Sequence, residues 1–454
     1  MTVEQRLAEV VVDTAGGDIS DAVRRAAVYQ VVDCVGVTVA AAAEPAGRSV
    51  ASVLSRLGGE PQARVIGLGV RTNVVQAAWA NGSLAHLLDF DDVGFSHPTA
   101  CILPAALAVA EERDVGGGEL VAAMVVGYEV FERLAASGRA DDARVRFAGY
   151  HPTSVYGAVA ATAAAGRLLG LDVDRMVVAL GIAAADASGL TQQFGTWAKG
   201  LNAGNAARTG VLAALVSQSG YYGDERGVSG PYGLFSAVHG HGRYDLDGGL
   251  ADLGGRWCIV DPGLGVKFYP ACSSNRRAVD GLATIIGRLA GYDPDTVDKV
   301  VVDVHPDVFH TLQHRAPTTG FRGKFSLDYM VATMALDGAV TIDSFTDEAA
   351  NRPAFRAMLD KVDLREHPEW ELERRREMPV TLHLSDGSVH TESIGDPKGN
   401  KGWPLTDDEY EQKFVTCAAR ALGEDQAARA FKTVTTIDHA DRIRDVVATV
   451  CPQG

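Results

Sequence analysis

The feature that most constrains the fold is a long series of helical segments between residues 3 and 220. Alanine, leucine and valine recur at helical spacing over 20–43, 71–88, 99–113, 118–137, 153–169, 173–189 and 203–220. Glycine, proline and aspartate separate these segments, as in DVGGGE and GLDVD. Only ARVIGLG (63–69) reads as a β-strand among them. Helices that each carry an apolar stripe must bury it against other elements. A helical domain of many packed segments is therefore expected, not an alternating βαβ series. The alanine-rich runs and the 50 glycines suit close helix packing, because small side chains let backbones approach.

After residue 220 the texture changes. Residues 221–265 are rich in glycine and aromatics with little periodicity. VDKVVVDVHP (297–306) alternates like a strand, and MPVTLHLSDGSVHTESI (378–394) reads as a hairpin turning at Ser-Asp-Gly. Helical stretches lie between them at 274–290 and 325–336. The tail is helical again, opening with Thr406 as an N-cap followed by acidic residues. The expected organisation is mainly α: a large helical domain formed by 1–265 with 397–454, and a smaller α+β domain over 266–396.

At 454 residues, two domains are the default for a soluble chain. A net charge of −16 argues against nucleic-acid binding, which requires basic surface to displace counterions. A site for an anionic substrate must then be a local basic island. The six cysteines lie far apart without a CxxC pair, which suits reduced thiols and a cytoplasmic setting. The N-terminus MTVEQRLAEVVVDT lacks the pattern of a signal peptide. The most apolar run, 31–43, is interrupted by Asp33 and reads as short for a membrane span. No membrane partner is expected.

Four stretches can carry chemistry. HLLDFDDVGFSHP (86–98) holds three carboxylates and two imidazoles. It reads either as a solvated loop or as half of an acid–base site, in which Asp89 orients His97. There Asp91 and Asp92 would shape the loop, and His86 would pack within the preceding helix. No matching ligand pattern occurs elsewhere, so no metal site is assigned. GYHPTSVYGA (149–158) repeats the His-Pro-Thr device and sets His151 just before a helix, close to free backbone N–H groups. FGTWAKGLNAGNAARTG (194–210) places Lys199 among small residues before a helix, where it is either solvated or a carboxylate partner. GLGVKFYPACSSNRRAVDG (263–281) carries Lys267, then Ser273, Asn275 and Arg276 where a helix opens, an arrangement suited to cradling an anion. Cys272 reads as a small buried residue more readily than as a nucleophile, and the two histidines of HTLQH (310–314) read as surface.

Together with FRGKFSLDYMVA (321–332) and WPLTDDEYEQKF (403–414), these stretches resemble the MmgE/PrpD family over nearly the whole chain and in the right order. The resemblance implies a large helical domain with a smaller α+β domain, a homodimer, an active site in the interdomain cleft and no organic cofactor. It implies catalytic roles for Asp89, His97, His151, Lys199, Lys267 and Tyr329, with His151 the partner of Lys199 across the cleft. The chain departs from the family pattern at Val93, where threonine is common, and the loop from there to His97 is shortened. It departs again at the Asn-Arg-Arg after the Cys272 turn and at Arg322-Gly323.

The reactions of that family add or remove a proton at carbon next to a carboxylate or imine. The expected function is a cofactor-independent lyase, dehydrating or decarboxylating a small di- or tricarboxylic acid by His/Lys acid–base chemistry. Two lysines and a histidine would bind its carboxylates and hold the developing charge in a water-poor cleft. An epimerase or isomerase on a related acid is the alternative, and a non-catalytic dimeric binding protein is the third reading.

Overall fold

A computed structural model of the chain describes residues 1–138, 145, 148–371, 374 and 376–452. Its first core is helical. Helix Asp21–Ala43 starts at Ser20, whose hydroxyl accepts from the Val23 N–H, and every residue from Val31 to Ala42 is buried. The apolar run read as too short for a membrane span is thus part of a 23-residue helix that has the length and composition to cross one. In the structure 83 % of its apolar window is buried inside the protein, as in the central helix of a core. Helix Asp407–Leu422 returns from the C-terminal end to lie along it. The two approach closely because a Cβ on Gly36 would stand only 3.0 Å from the Phe414 ring.

Helices Val74–Ala85, Thr99–Arg113, Gly117–Gly138, Pro152–Leu168 and Ala198–Gln218 form most of the rest of this core, with Val3–Asp13, Val173–Asp186, Glu424–Val434 and Ile443–Thr449 packed at its margins. The contact between Val74–Ala85 and Ala198–Gln218 matters most for function. A Cβ on Gly204 would meet the Ser83 hydroxyl at 2.0 Å and the Trp79 carbonyl at 2.4 Å. One on Gly200 would meet the Ser83 carbonyl at 2.6 Å. Backbone therefore packs on backbone, and the first turn of one helix reaches the last turn of the other.

The second core draws on residues 269–382 together with Phe194. Its sheet has four strands in the order Val362–Glu366, Val297–Val304, Val380–Leu384, Val389–Glu392. The first pair is parallel, with Val302 opposite Leu364, and the others are antiparallel. The hairpin expected around Ser-Asp-Gly forms, with Leu384 N–H donating to Ser388 O and Gly387 at φ +86°. Helices Arg276–Arg288 and Leu327–Asp337 supply the sheet's apolar cover. Phe194, from the helical half, stacks on Phe325 with ring centroids 5.3 Å apart and ties the two cores together.

Several boundaries differ from the sequence reading. The piece 63–69 is not one strand; Ala63–Val65 pairs with Val70–Thr72 as a small antiparallel ribbon. The helix expected over 71–88 runs from Val74 to Ala85, because Asn73 caps its start and His86 closes its end. The helix expected from 203 begins at Ala198, so Lys199 sits in its first turn and not in a loop before it. The Thr406 cap forms as expected, with Glu409 completing a reciprocal capping box.

Candidate active site

The turn that follows Val74–Ala85 delivers Asp89, with φ +52°, a left-handed conformation uncommon for residues other than glycine and best tolerated by Asn and Asp. Two further contacts bring distant residues to it. Asp92–Val93 pairs with Gly265–Val266, setting Lys267 beside the turn. The glycine contact described above sets Lys199 beside His86.

The result is a buried cluster of alternating charge. Asp89 Oδ1 accepts from Lys199 Nζ at 2.9 Å and from Lys267 Nζ at 2.8 Å. Burial opposes ionisation of Asp89, but the two ammonium groups outweigh it and hold the carboxyl well below the usual range. Lys199 is lowered from its ordinary value, chiefly by burial and in part by the nearby charge of Lys267, with Asp89 acting against both.

His97 has its Nδ1 2.7 Å from the Asp92 carbonyl, which can only accept, so the ring proton sits on Nδ1. Its Nε2 lone pair then faces Asp89 Oδ1 at 3.9 Å. Burial first and Lys267 second push His97 well below the ordinary histidine value and keep it neutral. The orienting group is thus the Asp92 carbonyl, not the Asp89 carboxylate expected from the sequence.

His86 lies at the centre of the cluster. Its Nδ1 donates to Asp91 at 2.8 Å and its Nε2 accepts from the Lys199 ammonium. It therefore does more than pack within a helix, and it takes the place beside Lys199 expected for His151. Asp91 orients this imidazole, while Asp92 caps helix Thr99–Arg113 by accepting from the Thr99 N–H and hydroxyl. Shaping the loop is a role that fits Asp92 and not Asp91. His151 stacks on His86 with centroids 5.3 Å apart, and its Nδ1 accepts from Asn202 Nδ2 at 3.1 Å. The sequence signal for His86 was its position at a helix end five residues before Asp91, which alone cannot be told from core packing.

The remaining candidates make their hydrogen bonds outside the Asp89 cluster. Tyr329 is buried between Phe345 and Phe355, and its hydroxyl donates to the Ser344 carbonyl at 2.6 Å. Packing of the smaller domain, not the cluster, fixes that side chain. Ser273 and Asn275 form a 3₁₀ turn, and Asn275 Nδ2 donates to the Lys324 carbonyl. Arg276 donates to Asn400 Oδ1 at 2.8 Å and to the Lys398 carbonyl at 3.2 Å, so it braces the 398–400 loop instead of cradling an anion. Cys272 is buried and its thiol is raised by that burial, against a nucleophilic role. His314 has its Nε2 near the Phe194 carbonyl at 3.3 Å, and His310 is exposed.

His86, Asp89, Asp91 and His97 offer ligand atoms within 4.8 Å of one another, a spacing that could hold a metal ion. The donor set does not fit one. Asp89 Oδ1 already accepts from two ammonium groups and both His86 nitrogens are engaged, so a divalent cation would sit against Lys199 and Lys267. The arrangement instead offers two buried ammonium groups, a buried second histidine and the neutral, slightly exposed His97, whose Nε2 carries no proton.

Comparison with known proteins agrees with this architecture. The chain is 29 % identical to the cis-aconitate decarboxylase of Homo sapiens over 382 residues, covering 81 % of this chain and 78 % of that protein. It is 27 % identical to the cis-aconitate decarboxylase of Aspergillus terreus over 419 residues, covering 86 % and 84 %. It is 24 % identical to the 2-methylcitrate dehydratase of Salmonella typhimurium over 365 residues, covering 73 % and 72 %. The family models for the MmgE/PrpD N-terminal and C-terminal domains match residues 5–247 and 269–439, and the chain belongs to the MmgE/PrpD family of enzymes.

Proposed function

We propose that the protein is a lyase acting on a small tricarboxylic acid, with decarboxylation of a cis-aconitate-like substrate as the first reaction to test and dehydration as the second. The observation that carries this reading is the placement of Lys199 and Lys267 on a single carboxylate oxygen, with His97 Nε2 3.9 Å away. Two ammonium groups able to hold one carboxylate inside a dry site can hold a substrate carboxylate and the charge that develops on it. The decarboxylase relatives match at higher identity and coverage than the dehydratase does, which orders the two reactions.

In decarboxylation the bond between carbon and the departing carboxylate breaks. Its electron pair stays on the substrate, delocalised toward a neighbouring carboxylate held by the lysines. A proton then closes the carbon. His97 is neutral before substrate binds, and a polyanion entering beside it opposes the desolvation that kept it so and favours its protonated form. In dehydration the same neutral Nε2 removes a proton next to a carboxylate, while an acid helps the hydroxyl leave. His151, stacked behind His86, is the second acid–base group in either case. A homodimer is the accompanying expectation from the family resemblance, and a cytoplasmic setting the one from the scattered, unpaired cysteines.

The test is incubation with cis-aconitate, 2-methylcitrate and related acids in deuterated water, followed by mass spectrometry. Loss of the mass of CO₂ with one deuterium incorporated at carbon identifies a decarboxylase, and loss of the mass of water a dehydratase. Deuterium uptake without other change would identify the epimerase or isomerase and overturn the lyase reading.

A further inference from the structure

Three successive carbonyl oxygens in the turn that carries Asp89 each accept from a different buried or largely buried lysine. Lys324 Nζ donates to Leu88 O at 3.0 Å, Lys267 Nζ to Asp89 O at 2.8 Å, and Lys413 Nζ to Phe90 O at 2.8 Å. The outer two lysines also grip the strand-and-turn that bears Lys267. Lys324 Nζ donates to Pro270 O at 2.6 Å and Lys413 Nζ to Lys267 O at 2.8 Å. Each is therefore a staple between the same two segments, one on either side of the Asp89–Lys267 pair.

The staples come from different parts of the fold. Lys324 belongs to the smaller domain, lies 4.1 Å from the centre of the Phe345 ring, and its own carbonyl accepts from Cys272 N–H and Asn275 Nδ2. Lys413 belongs to the C-terminal helix, lies 3.9 Å from the centre of the Phe90 ring and is ion-paired to Asp33 of the central helix. Asp89 between them has a positive φ, uncommon for a residue with a side chain, and the two staples hold the carbonyls on either side of it. Among the described residues, Lys324 and Lys413 meet the site through these carbonyls, whereas Lys199 and Lys267 bond the Asp89 carboxylate itself.

We propose that Lys324 and Lys413 are positioning residues that lock the left-handed turn at Asp89 to the Lys267 segment, and thereby set the geometry of the acid–base site. The catalytic consequence rests on the lyase reading above; the mechanical one does not. A displacement of about 1 Å in such a site costs about 10²-fold in rate.

The experiment uses the full chain with Lys324→Met and Lys413→Met made separately, measured by amide hydrogen exchange and by steady-state kinetics. Exchange over residues 86–92 is expected to quicken about tenfold or more in each variant, while helix Thr99–Arg113 exchanges as in the parent. On the substrate identified above, kcat is expected to fall about 10²-fold with KM within about threefold, because the same two ammonium groups still meet the substrate but in a misaligned pose. Parent-like exchange over 86–92 overturns the proposal, as does an equal acceleration in Thr99–Arg113, which would mean general loss of stability. Failure of both variants to fold also counts against it, since the lysines would then serve folding as a whole. If no acid is turned over, the exchange measurement alone decides, so failure of the lyase reading and failure of the staples are told apart.

Discussion

Asp89→Asn keeps the shape of the side chain and removes its charge, leaving Lys199 and Lys267 without the carboxylate they share. Both Nζ atoms lie within 2.9 Å of one oxygen, so they are less than about 6 Å apart. At about 5 Å and an effective dielectric of about 20, their repulsion is about 3 kcal/mol. Removing one partner of a buried pair typically costs about 3–5 kcal/mol, in line with that figure. The folded variant can relieve the repulsion by releasing one lysine proton, whereas the unfolded chain holds both protons up to about pH 10. Over that interval the unfolded chain binds more protons than the folded variant, so the variant's stability rises with pH. The loss relative to the parent should therefore be greatest near pH 6 and shrink by about 2–3 kcal/mol towards pH 9. Urea unfolding followed by circular dichroism at pH 6, 7, 8 and 9 measures it. A stability gap that is constant across these pH values, or no gap at all, would refute the reasoning, because it would mean that the two ammonium groups do not sense Asp89.

Three further outcomes follow from the same geometry. His97→Gln should fold normally yet lose about 10²–10⁴-fold in kcat, as expected for a positioned acid or base, and parent-level turnover would remove His97 from that role. Lys324 is pushed down to about 7 by burial first, with Asp89 and Glu44 opposing and Lys267 and Lys199 adding to the shift. Its folded value lies below its unfolded one, so its contribution to stability rises with pH between about 7 and 10. The gap between the parent and Lys324→Met should grow by about 4 kcal/mol over that window in denaturant titrations. Gly204→Ala should destabilise the chain by about 1–3 kcal/mol and lower turnover with it, because the new Cβ would meet Ser83 and Trp79. Thermal unfolding together with a kcat measurement checks the link between that helix contact and the site.

Much of the architecture is legible in the chain itself. The alanine-rich helical period, the Thr406 cap and the hairpin around Gly387 are local signals, set by propensity, capping and turn chemistry within a few residues. Asp89, His97, His151, Lys199 and Lys267 stand out as candidates because each sits at a helix end or turn in a recognisable motif, while their roles came from the family resemblance and not from local rules. The tertiary structure decided which of these groups touch and in what protonation state. Glycine-to-backbone contact between two helices brings Lys199 to His86, and a two-residue ribbon brings Lys267 to Asp89. Those pairings span more than a hundred residues of sequence, and no local rule ranks them above their alternatives. For the same reason His86 looked like core, Asp89 looked like the group that orients His97, and Tyr329 looked like part of the site. Partner identity is fixed by packing at long range, and burial then sets the charge: the same imidazole that would titrate near neutrality in water is held neutral where Asp92 and Lys267 enclose it.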